Sequence, residues 1–336
     1  MKTQGKDYMQ APLLRAFGRL RREPASELTV LTWNVEQEET HPEPIVEALL
    51  GPLKADLYVL QEVDRHTRRS GYQDLPRKIA WRLHVDYVFG SEFEELAQGG
   101  AFDLPLRGEV IFSRLPILHA RILRFHHQPH NWGGWWKPRV AFFQPRRGGR
   151  LALVAELEWG DSNLVLYNTC LEGHATDDDR AQQMSEILDD LWLHYSPEKP
   201  AIIAGDFNTK DGNSSAVIRL LQAEAFRDLL EKVPEPHHVS AEHEQWLGGM
   251  FGRNLESLDA RIHRPDVLGH YPVSSTISLV RNFELSPDSN LAGELHRRNR
   301  ENHQDRRCHV FSPYFEERTK AAQRESRSHD HRTSKI

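Results

Sequence analysis

The sequence predicts an α/β domain over residues 28–285 of the 336-residue chain. Short runs of apolar and β-branched residues alternate there with segments of helical periodicity, the pattern of strands and helices that pack in layers. Several predicted strands end on an Asn, Asp or Glu side chain, and α/β proteins commonly bind their ligands at strand ends. We therefore expect one folded domain with a site where these strands end.

The predicted elements follow in order along the chain. Apolar, β-branched runs predict strands at 28–33, 56–60, 109–113, 150–158, 163–169 and 200–204. Apolar residues at helical spacing predict helices at 45–53 and 178–194. The two strands at 150–158 and 163–169 are close enough in sequence to form a hairpin.

The two ends of the chain differ in composition from this domain. Residues 1–27 are polar and basic, and the apolar residues between 13 and 20 have helical spacing, which predicts a short amphipathic helix at most. Residues 286–336 are mainly polar and charged, so little apolar surface is available to offset the entropy of ordering. We expect a basic leader with a short helix at most, and a disordered tail.

Composition argues against several classes of protein. The formal net charge is −6, whereas a non-specific nucleic-acid binder usually has an excess of Lys and Arg. Cys170 and Cys308 lie far apart, so the sequence indicates neither a disulfide framework nor a CxxC metal site. No apolar run approaches the ~18 residues of a membrane-spanning helix, and the N-terminus has no secretory signal. The expectation is a cytoplasmic protein without a transmembrane segment.

Residues 205–209 (GDFNT) are the most informative segment. They follow the predicted strand at 200–204, and the strand period of two places Asp206 and Asn208 on the same side. Asp206 can hold a hard cation or a water molecule, and the amide of Asn208 can donate to a phosphate oxygen. Asp and Asn also favour turns, so the segment alone leaves a plain turn as the alternative.

Two further strand ends carry oxygen ligands. Asn34 follows the first predicted strand and Glu62 follows the second. An amide oxygen and a carboxylate suit Mg²⁺ or Mn²⁺. Each residue alone can be a helix N-cap or a solvated strand end, but three polar strand ends in one chain favour a metal and phosphate site.

The order of these segments resembles that of the endonuclease/exonuclease/phosphatase superfamily, which includes abasic-site endonucleases, sphingomyelinases, inositol-phosphate phosphatases and deadenylases. The segments that carry the resemblance are 32–36 (TWNVE), 60–64 (LQEVD), 110–117 (VIFSRLPI), 167–172 (YNTCLE), 205–209 (GDFNT), 258–259 (LD) and 270–273 (HYPV). The resemblance implies a four-layer α/β sandwich, with two mixed β-sheets packed face to face and helices outside. It also implies metal-dependent hydrolysis of a phosphodiester or phosphomonoester by attack of water.

The resemblance implies roles for individual residues in binding the metal and activating water. Glu62 would be the principal ligand of Mg²⁺ or Mn²⁺, with Asn34 and Glu36 near it. Asp206 would orient or deprotonate the attacking water, and Asn208 would contact the phosphate.

Further roles concern the substrate. His270 would be the imidazole beside the scissile phosphate, with Asp259 holding its other ring nitrogen. Asn168, Cys170 and Arg114 would contact the substrate. The phosphoester itself stays open between nucleic acid, a phospholipid headgroup and a sugar phosphate.

Two positions depart from the family pattern. Cys170 stands where the family usually has His, and Gly269 stands where it usually has Asp. A thiol is a weak donor and is mostly uncharged at neutral pH, so it cannot replace an imidazolium. Losing one preorganised donor commonly costs ~2.7–4 kcal/mol in the reaction barrier. The alternative hypothesis is a catalytically degenerate member that binds a phosphorylated ligand or a protein partner without turnover.

Overall fold

The computed structural model describes residues 12–16, 26–35, 43–100, 103–130, 145–209, 215–233, 239–240, 243–244, 248–264 and 270–280. The chain divides into two compact units, Met1–Arg297 and Arg298–Ile336. Every described residue lies in the first unit, so the predicted tail at 286–336 lies outside the described residues.

Strands are numbered here in chain order. They are β1 (Leu13–Arg15), β2 (Glu27–Asn34), β3 (Leu57–Arg65), β4 (Asp86–Glu95), β5 (Leu106–Ser113), β6 (Ile117–Arg124), β7 (Arg146–Gly148), β8 (Leu151–Leu157), β9 (Leu164–Cys170), β10 (Ala201–Asp206), β11 (Arg227–Asp228), β12 (Val239–Ser240), β13 (His243–Glu244), β14 (Gly248–Arg253), β15 (Leu255–Ile262) and β16 (Val273–Leu279). The helices are α1 (Glu43–Leu50), α2 (Leu75–Leu83), α3 (Asp177–His194) and α4 (Ala216–Ala223).

Most of these strands belong to two large sheets. The first is 8-stranded, in the order β1-β4-β5-β3-β2-β16-β15 with β7 paired to β4, and the second is 6-stranded, in the order β11-β14-β10-β9-β8-β6. Both sheets are mixed, because β2 and β3 run parallel in the first, and β9 and β10 run parallel in the second. Strands β12 and β13 pair only with each other within the described residues.

Three clusters of buried apolar side chains hold four layers together. One joins the first sheet to α1 and α2, and another joins the second sheet to α3 and α4. The third combines inward-facing residues of both sheets, among them Val30 and Val59 from the first and Leu153 and Ile202 from the second. The predicted sandwich, with two mixed sheets face to face and helices outside, is confirmed.

The predicted core strands and both predicted helices are present. Most of these strands are longer than predicted. Within the leader, Leu13–Arg15 form β1 and pair antiparallel with β4, whereas a short amphipathic helix was predicted between 13 and 20. Residues 1–11 and 17–25 of the leader lie outside the described residues. At the edge of a sheet, backbone hydrogen bonds to a neighbouring strand replace those of a helical turn.

The longest described helix, α3, starts at a capping box. The hydroxyl of Thr176 accepts a hydrogen bond from the backbone N–H of Asp179, whose carboxylate accepts one from the N–H of Thr176. This exchange satisfies backbone donors that the first turn leaves open. No helix in the described part of the chain is both long and apolar enough to cross a membrane.

Candidate active site

Asp206, the last residue of β10, is the centre of the candidate site. Its carboxylate is buried, and Oδ2 accepts a hydrogen bond from the side-chain amide of Asn34 at 2.8 Å. Its Oδ1 accepts one from the backbone N–H of Asn208 at 3.0 Å. The Nδ1 atom of His270 lies 3.8 Å from Oδ2. The fold thus brings together four of the residues predicted from the sequence. Asn34 comes from β2 of the first sheet, and Asp206 comes from β10 of the second.

The backbone on either side of Asp206 depends on a glycine before it and an asparagine after it. A Cβ at Gly205 would lie 1.9 Å from the carbonyl oxygen of Thr169, so only glycine lets β10 approach β9 this closely. Beyond Asp206, Asn208 has a φ of +52°, a left-handed conformation that Asn adopts more readily than most residues. This turn points the Asn208 N–H back at the Asp206 carboxylate.

The surroundings of Asp206 suit a group that takes up a proton. Burial raises the pKa of its carboxyl above the ordinary value, although the nearby His270 and the hydrogen bonds from Asn34 and Asn208 act against this. A carboxylate with a raised pKa is a stronger base toward water. The end of β10 can therefore orient a water molecule and accept its proton.

His270 is held by contacts other than the predicted one. Its backbone carbonyl accepts a hydrogen bond from Trp33 Nε1 at 2.7 Å. Asp259, expected to hold the ring, pairs on β15 with Thr276, six residues beyond His270. The Asp259 carboxylate is half exposed and lies 2.8 Å from Arg261 Nε. The register of β15 and β16 thus carries Asp259 away from the ring, and the described carboxylate beside the ring is that of Asp206, 3.8 Å from Nδ1.

Glu62 reaches the site through a β-bulge. The pairing of β3 with β5 shifts register between Leu60 and Val63, and Glu62 has a φ of +59°. Bulges often redirect a side chain next to an active site. Here Glu62 Oε1 comes to 3.8 Å from the Sγ atom of Cys170, and Cys170 is the β9 residue directly beside Asp206. Glu62 is therefore brought to the same end of the sandwich as Asp206.

Two buried arginines neutralise Glu62. Arg107 Nη1 lies 2.8 Å from Oε2, and Arg150 Nη1 lies 3.7 Å from Oε1. Burial by itself raises the pKa of the Glu62 carboxyl, but the charges of Arg107 and Arg150 outweigh burial and lower the pKa. Glu62 is thus an ionised carboxylate with a guanidinium beside each oxygen.

Arg150 contacts two more carboxylates. Its Nη1 lies 3.1 Å from Glu92 Oε2, and its Nε lies 3.7 Å from Glu172 Oε2. Glu92 is in a second β-bulge, where the pairing of β4 with β5 shifts register. Two bulges on either side of β5 therefore aim carboxylates at one guanidinium. We call the following side chains the arginine cluster: Arg107, Arg150, Glu62, Glu92 and Glu172.

Apart from Glu62, the arginine cluster was missed by sequence reasoning. A signal for it exists in the sequence, because Glu92 and Arg107 are charged residues inside strand-like segments, where charge is rarely buried without a partner. That signal indicates burial with a counter-ion but does not say which residues pair.

Cys170 lies between Glu62 and Asn208. The Nδ2 atom of Asn208 is 3.9 Å from its Sγ and donates a hydrogen bond to the carbonyl of Leu171 at 2.9 Å. Burial raises the pKa of the Cys170 thiol well above its ordinary value, while the charge of Arg150 opposes this. An uncharged thiol therefore occupies the position where the family resemblance implies an imidazole.

Two residues predicted to contact substrate do not join this site. Asn168 is buried between the sheets, where its Nδ2 donates to the carbonyls of Leu60 and Val110 and its Oδ1 accepts from Gln61. Arg114 follows β5 at the opposite end of the first sheet, and its Nε donates to the carbonyl of Ala55. Glu36 and Gly269 lie outside the described residues.

The described residues do not fit a divalent cation held on Glu62. Mg²⁺ usually binds one or two free carboxylates together with substrate phosphates, yet each oxygen of Glu62 already lies beside a guanidinium. The amide of Asn34 donates its nitrogen to Asp206, so only its oxygen can serve as a ligand. Over the described stretches, no group of three or more His, Cys, Asp or Glu side chains converges as metal ligands.

Solved structures share the fold at low sequence identity. An endonuclease/exonuclease/phosphatase from Beutenbergia cavernae has a TM-score of 0.57 at 17% identity, covering 75% of this chain and 72% of that one. The human Nocturnin catalytic domain with bound sulfate has a TM-score of 0.57 at 15% identity, over 81% and 98% of the two chains. D. rerio TDP2 complexed with a single strand DNA product has a TM-score of 0.54 at 14% identity, over 76% and 100%.

Sequence comparison gives the family. No curated protein matches the chain. A model of the Endonuclease/Exonuclease/phosphatase family matches residues 31–220, which is more than half of the chain and runs from within β2 into α4. This match agrees with the strand order of the two sheets and with the convergence of strand ends at Asp206. The chain belongs to the Endonuclease/Exonuclease/phosphatase family.

Proposed function

We propose that the chain hydrolyses a phosphodiester or a phosphomonoester, and that Asp206 activates the water molecule that attacks phosphorus. The family belongs to a superfamily of metal-dependent phosphoesterases, which supports this class of reaction. The convergence of Asn34, Asn208 and His270 on the Asp206 carboxylate is the observation that carries the proposal.

Asp206 is proposed as the base. The water oxygen forms a bond to phosphorus while its proton passes to the Asp206 carboxylate, and the bond from phosphorus to the leaving oxygen breaks on the opposite side. The leaving oxygen takes up a proton from solvent, and His270, beside Asp206 on the attacking side, is proposed to stabilise the negative charge of the phosphate when its ring is protonated. The raised pKa of Asp206 supports the first of these transfers.

The two asparagines are proposed to set the geometry. Asn34 holds one oxygen of Asp206 at 2.8 Å, which fixes the carboxylate for an in-line attack. The amide of Asn208 lies beside it and is proposed to donate to a phosphate oxygen, exchanging its present acceptor, the carbonyl of Leu171. Negative charge that builds on the phosphate is stabilised by such donors.

The predicted Mg²⁺ or Mn²⁺ enters no step of this scheme. Its expected principal ligand, Glu62, is paired with Arg107 and Arg150. Whether an added ion changes the rate is measured by running each assay with Mg²⁺, with Mn²⁺ and with EDTA.

Hydrolysis of bis-(p-nitrophenyl) phosphate and p-nitrophenyl phosphate tests the proposal. Asp206→Asn keeps the shape of the side chain and removes the base, so we expect the rate to fall by about 10²–10⁴-fold. Asp161→Asn, in the exposed turn between β8 and β9, is the matched control and should keep the wild-type rate. Equal rates in all three proteins would show that the observed hydrolysis does not arise at this site.

A second candidate function is binding of a phosphorylated ligand without turnover. The uncharged thiol of Cys170 favours it, because a charged donor expected in the family is missing there. Phosphate binding that Asp206→Asn preserves, with no hydrolysis of any ester tested, would favour this candidate over the first.

The substrate and the location are proposals to be tested separately. A panel of a single-stranded oligonucleotide, a sphingomyelin dispersion and a sugar phosphate compares the three classes of phosphoester that the resemblance implies. We propose a cytoplasmic location, which fractionation of cells expressing the tagged chain can test.

A further inference from the structure

A cavity of about 280 Å³ lies at the end of the first sheet opposite Asp206. Its walls come from the ends of α1 and α2, the start of β3 and the residue after β5. That residue, Arg114, follows Ser113, which pairs with the first residues of β3 and β4. Glu62, by contrast, lies farther along β3, toward the candidate site. The cavity is therefore separate from the candidate active site.

The charged side chains that line the cavity are all cationic among the described residues. Lys54 follows α1, Arg82 lies in the last turn of α2, and Arg114 follows β5. None of the three forms an ion pair with a carboxylate of the described part of the chain. His84, which caps α2, adds an imidazole to the same wall. Because the whole chain has a formal net charge of −6, this is a local excess of positive charge.

The two helix ends at the cavity reduce this excess but do not cancel it. Leu50 ends α1 and Leu83 ends α2, and both residues line the cavity. A helix C-terminus carries about half of a negative unit charge, and it stabilises nearby cations for that reason alone. Two such ends offset about one of the three cations, which leaves about two positive charges for a ligand. Arg114 belongs to neither helix, so capping does not explain its position.

The guanidinium of Arg114 is fixed on one side only. Its Nε donates to the carbonyl of Ala55 at 3.1 Å, and its backbone N–H donates to the carbonyl of Asp56 at 2.9 Å. The Asp56 carboxylate accepts from the backbone N–H of Thr29 instead of pairing with Arg114. Within the described residues, no acceptor takes a hydrogen bond from the two Nη atoms. A guanidinium held in this way presents planar donors that suit the oxygens of a phosphate.

The floor of the cavity is apolar. Leu49, Tyr58 and Leu83 are buried there, and Leu50 is partly exposed beside them. The hydroxyl of Tyr58 accepts from the backbone N–H of Ala55 at 3.0 Å. A volume of about 280 Å³ is at the lower end of the range for small-molecule sites. A cationic mouth above a small apolar floor fits a phosphate attached to a small organic group.

We infer that this cavity binds a small organic phosphate ester, at a site separate from Asp206. Lys54, Arg82 and Arg114 bind the phosphate oxygens, and the leucines of the floor contact the organic group. The inference does not rest on the proposed function, because no residue of the Asp206 site lines the cavity. It also gives a role to Arg114, which the sequence singled out as a substrate contact and which the fold places away from Asp206.

Calorimetric titration of the full chain with phenylphosphonate tests the inference. This probe has a small apolar ring and phosphoryl oxygens, and hydrolysis of phosphoesters does not break its carbon–phosphorus bond. Arg82→Ser and Lys54→Ser, both at exposed positions, should each weaken binding by about tenfold or more, because each removes a charged contact. Arg114→Met should weaken binding as well, but it also frees the carbonyl of Ala55. Circular dichroism verifies that each variant is folded.

Two control variants separate this cavity from other parts of the molecule. Arg77→Ser removes an exposed arginine from the same helix, α2, that does not line the cavity, so binding should stay within about twofold of the wild type. Asp206→Asn changes the candidate active site and should also preserve binding. Equal weakening by Arg77→Ser and Arg82→Ser would show diffuse surface charge instead of a site. Loss of binding in Asp206→Asn would place the probe at the active site, and either result overturns the inference.

Two further probes test the class of ligand. Benzoate has the same ring with a carboxylate, and we expect it to bind about tenfold more weakly or worse, whereas equal affinity would contradict a phosphate site. A single-stranded oligonucleotide that binds more tightly than phenylphosphonate, and loses this affinity in Arg82→Ser, would assign the cavity to a nucleic-acid strand instead. Absence of phenylphosphonate binding by the wild type overturns the inference outright.

Discussion

Replacing Asn168 with alanine removes a buried side chain that forms hydrogen bonds from the second sheet to the first, near the site. Its Nδ2 donates to the carbonyls of Leu60, at 2.8 Å, and Val110, at 2.9 Å, and its Oδ1 accepts from Gln61 at 2.8 Å. Each such buried hydrogen bond contributes about 1 kcal/mol net. With three lost together, we expect the free energy of unfolding to fall by about 3 kcal/mol.

Urea unfolding at equilibrium measures this loss, and a surface asparagine provides the comparison. Asn254 also donates to two backbone carbonyls, those of Pro197 and Lys199, but the first of these bonds is exposed. Its φ of +63° suits glycine, so Asn254→Gly removes the bonds without straining the backbone, and we expect a loss of about 1 kcal/mol or less. Equal losses for the two variants would refute the reasoning that burial between the sheets sets the contribution of Asn168.

Three further predictions concern pH, backbone and charge. A hydrogen bond from Thr176 is the main reason that the pKa of Asp179 is lowered to about 2. The stability that Asp179 contributes is therefore complete above its ordinary pKa of 3.8 and is lost as pH falls toward 2. In Thr176→Val the melting temperature should depend less on pH across that range than in the wild type. Gly205→Ala should lower the melting temperature more than Gly160→Ala, because both have positive φ but only Gly205 lacks space for a Cβ; equal shifts would contradict this. Cys170→His restores the imidazole that the resemblance implies, beside the Glu62 oxygen that lies 3.8 Å from the present Sγ and stabilises an imidazolium, so the hydrolysis of bis-(p-nitrophenyl) phosphate should rise, by up to about 10²-fold; an unchanged rate would contradict this.

Much of the fold was predictable because its signals are local. The run at 200–204 is apolar and β-branched, so it specifies a buried strand before any partner is known, and it becomes β10. The leader shows the limit of this reasoning. Leu13–Arg15 is too short to carry a periodicity of its own, and its state depends on β4, which lies far along the chain.

The site was predictable where it consists of strand ends. Asn34 and Asp206 each close an apolar strand, and the packing of the two sheets brings their ends together. Asp259 was misplaced because its position depends on the register between β15 and β16, including a register shift just before it. The arginine cluster depends on two β-bulges, and a bulge leaves no reliable mark in a single sequence.

Glu62 sets the surroundings of Cys170. Viewed in the sequence, Cys170 is the loss of a cationic donor beside the phosphate. In the structure Glu62 Oε1 lies 3.8 Å from its Sγ, and Arg150 contacts that same carboxylate oxygen at 3.7 Å. Burial raises the pKa of the Cys170 thiol well above its ordinary value. A neutral side chain therefore occupies this position, while the ionised groups next to it pair with one another.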